Sequence, residues 1–291
     1  MKLGIINFEM APAGLNQLLH KLISDLSVKH SLSGITIDPV RQQSLEKELD
    51  KELLENFPFH YPSLLQVSYI SEDPDDYQLM ADYDAVIVFG TGQAVESLKQ
   101  VKARFQRTSF LFVPFSIYNN LEETDLSLGY DTALNYIMES IFKIRDTIDS
   151  LKYPDPRLFG IQLPGHAPEE MLNELAVAVR GHALPRGYGE EKKQSLESSL
   201  EEEFSMGQTH SFLIFDETFE ADNLHEEVLP GLKVDWKWHK VDEALCLGPD
   251  PQAADRIIAM QFARRIVEWV EKEEATGSLY YKNRQAVHKQ N

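Results

Sequence analysis

Cysteine is almost absent. Cys246 is the single one in 291 residues, so no internal disulfide can form and a reducing cytoplasm is the expected location. Set between Leu245 and Leu247, it reads as a small apolar side chain rather than a nucleophile. Long apolar runs are also missing. None approaches the roughly 18 residues that cross a bilayer, and the opening MKLGIINF is too short for a signal peptide. Basic residues are scarce: 28 Lys and Arg face 47 Asp and Glu, a net charge of −19. Nucleic acid and anionic membranes would be repelled, so neither is an expected partner. The imbalance is awkward for any site that gathers several phosphates, although a local basic pocket can sit in an acidic protein. What is present, 43% hydrophobic and 26% charged residues, is ordinary for a soluble protein, and the length suits one large domain or two small ones.

Apolar periodicity alternates between strand and helix. Residues 3–7 (LGIIN) read as a strand. A turn leads into a helix over 15–26, with Leu15, Leu18, Leu19, Leu22, Ile23 and Leu26 on one face. A strand is expected over 33–37, then a charged helix over 41–54 ending before Phe57-Pro58. Glu72, Asp73, Asp75 and Asp76 read as an exposed acidic loop rather than a metal site. Residues 83–89 (YDAVIVF) form a buried strand running into Gly90-Thr91-Gly92-Gln93. A strand, a G-x-G and a helix make a phosphate-binding setting, but a lone G-x-G also simply keeps a tight turn. The run Leu111, Phe112, Val113 is closed by Pro114, and a polar connection follows over 116–125. A long helix then places Leu134, Ile137, Met138, Ile141, Ile144 and Ile148 at helical spacing, with Asp131 as its expected cap. A strand feeding a polar turn and a helix is where α/β folds bind ligands.

Further on, residues 155–166 read as a strand and loop and 169–180 as a short helix. Residues 187–204 are a solvated helix or a mobile loop, 210–216 a strand, and 234–247 a strand region. Ile257, Ile258, Met260, Ile266 and Val270 mark a last helix, and the tail from 277 is polar and unpatterned. Alone, these elements give an alternating α/β protein.

The stretch around Pro114 carries more. Pro114-Phe115-Ser116-Ile117-Tyr118-Asn119-Asn120, then Glu123-Thr124-Asp125, then Gly129-Tyr130-Asp131-Thr132-Ala133 resembles the substrate loop of the 6-phosphofructokinase family, P-x-T-I-D-N-D-x-x-G-T-D-x-x-x-G-F-D-T-A. Gly14-Leu15-Asn16 is similar to the end of its G-G-D-x-P-G-M-N, and Asp255-Arg256 to the D-R that opens a later helix. The resemblance spans nearly the whole chain. It implies two Rossmann-like α/β/α domains with mainly parallel sheets: a nucleotide-domain equivalent over 1–129 plus 246–275, and a sugar-phosphate-domain equivalent over 130–245 plus 276–291. It also implies a homo-oligomer with sites built across subunits.

The chemical half of the family's motifs is replaced. Its general base aligns with Tyr118 and the next Asp with Asn120; the Asp that positions magnesium aligns with Thr91. The two phosphate-facing glycines align with Glu9 and Met10, and the Asp after them with Ala11. Gly90, Thr91, Gly92 and Gln93, with Glu9 and Met10, are thus a vestigial nucleotide loop. The family's M-G-R-H becomes Leu163, Pro164, Gly165 and His166, so only the His matches. A sugar-binding Glu becomes Arg186, while Glu217 keeps another acid position. Arg157 lies one residue from a family Arg that reaches a neighbouring subunit. His20 and Ser24 stand nearest the effector arginines, and His239, Lys240 and Gly248-Pro249 are the only traces of a late basic, glycine-rich segment.

The candidate substrate positions are therefore Ser116, Tyr118, Asn120, Leu163, Gly165, His166, Arg186 and Arg157. Ser116, Tyr118, Asn119, Asn120, Thr124, Asp125 and His166 are read as lining a neutral, hydroxyl-recognising pocket. Phosphoryl transfer needs metal positioning, charge neutralisation and a placed base, and the replacements remove all three. The expectation is a catalytically inactive homologue, without cofactor, catalytic residue or metal, that binds a small metabolite or pairs with itself or an authentic phosphofructokinase subunit. The rival is a working 6-phosphofructokinase with a rearranged site, which would use ATP and magnesium.

Overall fold

The computed structural model describes residues 1–38, 43–56, 64–149, 155–247 and 250–290; Phe57-Pro58 and Gly248-Pro249 lie outside the described residues. In chain order the first elements are β1 (Lys2–Phe8), α1 (Leu15–Leu26), β2 (Ser31–Asp38), β3 (Gln43–Glu48), α2 (Lys51–Asn56) and β4 (Val67–Ser68). Next come β5 (Ala85–Thr91), α3 (Gly92–Val101), β6 (Ser109–Phe115), α4 (Tyr130–Asp149), β7 (Arg157–Leu163), α5 (Glu169–Val179) and β8 (His182–Ala183). The series is completed by α6 (Glu190–Ser205), β9 (His210–Asp216), α7 (Leu224–Val228), β10 (Asp235–Lys240), α8 (Glu243–Leu247), α9 (Ala253–Glu271), β11 (Gly277–Lys282) and β12 (Gln285–Gln290). Two units result, Met1–Thr132 with Leu247–Asn291 and Ala133–Cys246.

The first unit is built on a sheet ordered β12-β11-β6-β5-β1-β2-β3, with β4 against the end of β1. β1, β5 and β6 run parallel and are buried on both faces, which is why they read as unbroken apolar runs. The apolar stripe of α1 packs against α9, with Leu18, Leu22, Phe262, Ile266 and Trp269 in one core. The second unit carries a sheet ordered β10-β7-β9-β8, parallel throughout. No helix among the described residues is long and apolar enough to cross a membrane.

Several expectations are corrected. The segment expected as a helix over 41–54 is instead β3 followed by α2. The alternating charges of QSLEKE lie on an exposed edge strand antiparallel to β2, so pairing overrides helical composition. Pro114 does not end its strand but sits inside β6, opposite Gly90. Phe110 N donates to Thr276 Oγ1 on the β11 side. By alternation the missing donor of Pro114 faces that side too, where pairing with β11 has stopped at Phe112. The tail placed with the second domain is a hairpin of the first sheet, β11 running parallel to β6. Asn283 and Arg284, at φ 52° and 62°, make the tight turn that a right-twisted hairpin needs. Residues 72–76, expected as an exposed acidic loop, do expose Glu72, Asp73 and Asp75, but they lead into a 3-10 segment over Pro74–Asp82, with Asp73 Oδ1 accepting from Asp75 N at 3.0 Å.

The hairpin is clamped by charge. Glu274 Oε2 accepts from Arg265 Nη2 at 2.5 Å and lies 3.1 Å from His288 Nδ1. Burial and the Arg265 charge push the His288 imidazole below its ordinary pKa, against the opposing pull of Glu274. His30 is lowered as well, by burial, the N-terminal ammonium and Lys29. Both histidines bind a proton more readily unfolded than folded, so their stabilising contribution is present above an unfolded pKa of about 6.5 and is lost as pH falls below it. The unfolding midpoint of the first unit should decline between about pH 7 and 5.5, and His288→Gln should flatten that decline. A midpoint that rises on acidification contradicts the assignment.

Candidate functional site

In the first unit the carboxyl ends of β6, β5 and β1 are neighbours, so the loops after all three meet at one edge of the sheet. α1 and α3 leave that edge in opposite directions, β1 stepping to β2 and β5 to β6, and such a switch point is where open α/β sheets hold ligands. After β1 the chain makes a three-residue turn, Met10 N donating to Phe8 O at 2.9 Å. Its central residue is Glu9 at φ 70°, a left-handed conformation that costs a side-chain-bearing residue about 1–2 kcal/mol. Glu9 N donates to Ser68 O at 3.1 Å, pinning the turn to β4.

The Glu9 carboxylate then accepts a hydrogen bond from the Thr91 hydroxyl. Thr91 Oγ1 also accepts from Ala94 N at 3.3 Å, which caps α3. A carboxylate is thereby anchored at the amino end of α3, where free amides and the helix dipole favour negative charge. Gly90 and Gly92 are packing glycines. A Cβ at Gly90 would lie 3.1 Å from Ala94 Cβ and 3.3 Å from Phe8 Cβ, and one at Gly92 would lie 3.0 Å from Leu121 Cδ2.

The loop after β6 spends its polar groups on itself. Ser116 Oγ donates to Asn120 Oδ1 (2.6 Å) and accepts from Tyr118 N (3.0 Å). Asn119, at φ 54°, accepts from Ser127 N through Oδ1 (2.8 Å). Thr124 Oγ1 accepts from Tyr281 N (2.9 Å), and Asp125 Oδ2 from Asn283 N (2.6 Å). Ser116, Asn119, Asn120, Thr124 and Asp125, expected to line a hydroxyl-recognising pocket, are thus bonded within the loop and to the β11–β12 hairpin. Asp131, the expected cap, lies within the first turn of α4 rather than ahead of it. Asp255 of α9, fully buried, caps it from another helix: its carboxylate accepts from Gly129 N (2.7 Å), Thr132 N (2.8 Å) and Thr132 Oγ1 (2.6 Å). Thr132 Oγ1 in turn accepts from Gln252 N (2.9 Å) at the start of α9, so each helix satisfies the other's first turn.

In the second unit the carboxyl ends of β7, β9, β8 and β10 gather a set of paired charges. Gly165, at φ 59°, donates its N–H to Glu217 Oε2 (2.8 Å), and Glu217 Oε1 holds Lys240 Nζ (2.6 Å). Lys240, the Gly165 N–H and nearby His166 keep Glu217 below the usual carboxylate range. Buried Asp216 accepts from the Thr218 hydroxyl and N–H and faces Arg186 Nη2 at 3.4 Å. Leu163 ends β7, and exposed His166 follows. Arg157 does not join this group. It opens β7 at the far end of the strand, where its Nε donates to Asp235 Oδ2 at 2.7 Å.

A family model for phosphofructokinase matches residues 78–270, about two-thirds of the chain. The chain belongs to the phosphofructokinase family. The ATP-dependent 6-phosphofructokinase of Staphylococcus epidermidis is 22% identical over 203 residues, 69% of this chain and 62% of that protein. The Lactobacillus gasseri counterpart is 25% identical over 184 residues, 63% of this chain and 55% of that protein. The chain thus spans less than two-thirds of the length of these curated relatives. Among solved structures, phosphofructokinase from Saccharomyces cerevisiae superposes with a TM-score of 0.80 at 14% identity, covering 99% of this chain and 44% of that one. Pyrophosphate-dependent phosphofructokinase from Nitrosospira multiformis gives 0.78 at 13%, covering 99% and 82%. These likenesses show a phosphofructokinase fold, mixed α/β with mostly parallel sheets.

Within that fold, sequence reasoning located Glu9, Thr91, Gly165 and Arg186 but missed what each is bonded to. Glu217 reads in the sequence as a retained acid, but its partner Lys240 lies at the end of β10. Asp255 was visible only as half of a D-R pair, and its partners lie 123 and 126 residues away.

Proposed function

We propose that this phosphofructokinase-family chain does not transfer phosphate and serves as a metabolite-binding or regulatory subunit, in the cytoplasm, paired with itself or with an authentic phosphofructokinase. The observation that carries the reading is the Glu9 carboxylate on Thr91 at the amino end of α3. A nucleotide phosphate brought there meets like charge where amides would otherwise receive it. The residues present do not fit a magnesium–ATP pair: the hydroxyl already caps α3, and the glycine turn that would let phosphates approach carries Glu9 and Met10. At the carboxyl end of the second sheet, Arg186 and Lys240 each face a carboxylate, which leaves little free positive charge for a sugar phosphate.

The second reading, ATP-dependent phosphorylation of fructose 6-phosphate, draws on the same contact, since Glu9 is a carboxylate beside the position that held the family's magnesium-positioning acid. A coupled assay with ATP, magnesium and fructose 6-phosphate separates the two. No turnover above the protein-free background is expected; turnover well above it overturns the proposal, and its loss in Glu9→Gln would assign the magnesium to that carboxylate. Co-purification with an authentic phosphofructokinase subunit supports the partner role.

A further inference from the structure

The β11–β12 hairpin is fastened to the first unit at two places with different chemistry. Through β11 it pairs with β6 only at Gly277 and Ser278, opposite Leu111 and Phe112. Running parallel from there, it carries its turn past the carboxyl end of β6, where the loop over 116–129 takes hold of it. Asp125 N donates to Tyr281 O at 2.8 Å, and Tyr281 N to Thr124 Oγ1 at 2.9 Å. Asn283 N donates to Asp125 Oδ2 at 2.6 Å, and Lys289 Nζ reaches Glu123 Oε1 at 2.8 Å. Residues 123–125 are thus held by the hairpin.

The second fastening is electrostatic and lies on β12. His288, its side chain 9% exposed, stands opposite Leu279 with Nε2 against Gly277, where a Cβ would collide with it. The charged groups facing it are Arg265 of α9 and Glu274 of the turn after α9, with Lys272 acting on Glu274 in turn. One oxygen, Glu274 Oε2, serves both Arg265 and His288. His288 Nε2 and Arg265 Nη1 are both buried, and neither finds a hydrogen-bond partner among the described residues. An uncharged imidazole loses little by this, since Nδ1–H can donate to Glu274 while Nε2 stays bare. A proton on Nε2 changes the balance. It sets a second cation beside Arg265 on one carboxylate, and its new N–H is buried with nothing to accept it. Glu274, held below the usual carboxylate range chiefly by its hydrogen bond from Arg265, stays ionised where an imidazole titrates.

We propose that the hairpin is a strap released by a proton on His288: with the imidazole neutral it holds the loop over 116–129 in place, and with the imidazole charged β12 lifts from α9 and the loop loses its anchors at 123–125. The strap acts on the loop after β6 at the candidate site, and it stands whether or not phosphate transfer has been lost. The sign follows from linkage. The open strap takes up a proton that the closed one refuses, so opening gains as pH falls below an unfolded imidazole value of about 6.5. The gain reaches about tenfold near pH 5.5.

The test is hydrogen exchange of the full chain, followed by mass spectrometry on peptides covering 116–129 and 277–290, with 85–91 of β5 as the core reference. Exchange through a local opening depends little on sub-denaturing urea, whereas exchange of β5 needs global unfolding and depends on it steeply. The strap and loop peptides should share one local opening and exchange faster than 85–91. Corrected for the intrinsic exchange rate, their protection should fall about tenfold from about pH 7.5 to 5.5. His288→Gln should hold that fall within about twofold, and unchanged protection of 85–91 at the higher pH serves as its folding control. The parent chain alone can overturn the proposal: strap and loop peptides that exchange only together with β5, or whose protection does not change with pH, contradict it. So does an acid-induced fall that His288→Gln retains.

Discussion

Asp255→Ala should lower the unfolding midpoint by about 10 °C. The carboxylate is fully buried and accepts from three donors, Gly129 N, Thr132 N and Thr132 Oγ1. Removing it strands all three away from water, and each unsatisfied buried group costs about 1–3 kcal/mol. Lost hydrogen bonds of the same acid do not add fully, so a net loss of about 3–5 kcal/mol is reasonable. In a chain of this size each kcal/mol moves the midpoint by about 2–4 °C. Burial pushes the Asp255 carboxyl above the ordinary carboxylate range, against the three hydrogen bonds that favour its charge. Asp255→Asn keeps the volume but turns one acceptor into a donor aimed at other donors, so it should fall near the alanine variant rather than near the parent. A parent-like midpoint for Asp255→Ala would mean that α4 and α9 hold their first turns without it.

Gly160→Val should damage the second unit by a comparable amount through crowding. Gly160 lies mid-way along β7, between β9 and β10. A Cβ there would come within 2.4 Å of Trp236 Cη2 and 2.8 Å of Phe215 Cε1. Trp236 cannot yield cheaply. Its ring stacks on Phe215 and on His225, with centroids 6.4 Å and 5.4 Å away, and its Nε1 donates to Ala221 O at 3.1 Å. Overpacking of this kind costs about 1–3 kcal/mol, more when a large ring must leave its site. Denaturant unfolding followed by tryptophan fluorescence should show a lower midpoint and a red-shifted native spectrum. Gly160→Ala should lie between the two. An unchanged midpoint for the valine variant would contradict this packing.

How much of this was legible depended on whether the deciding partner was near in sequence. The apolar runs at Ile5, Ile87 and Leu111 gave β1, β5 and β6 directly, because two-sided burial writes itself as unbroken hydrophobicity. The helix over 15–26 was equally plain from its single apolar face. β3 was missed because Glu and Lys suit a helix locally, while an antiparallel neighbour decides the outcome. The hairpin at the tail was missed because its turn is Asn283-Arg284 rather than an Asn-Gly pair. At the site, residue types were readable but their bonding was not. Glu9 looked like an intrusion into a phosphate turn, yet nothing near it in sequence indicated that Thr91, 82 residues on, would hold its carboxylate. Ser116 and Asn119 were readable as polar loop residues, but not their bonds to Asn120, Tyr118 N and Ser127 N.

The most direct test of the central claim is calorimetric titration of the unmodified chain with magnesium–ATP. If the Glu9 carboxylate keeps the α3 amino end for itself, no saturable binding should be seen up to about 1 mM nucleotide, where a site with a Kd in the usual micromolar range would be full. Saturable, magnesium-dependent binding would contradict it, and its loss in Glu9→Gln would show the same carboxylate holding a metal ion.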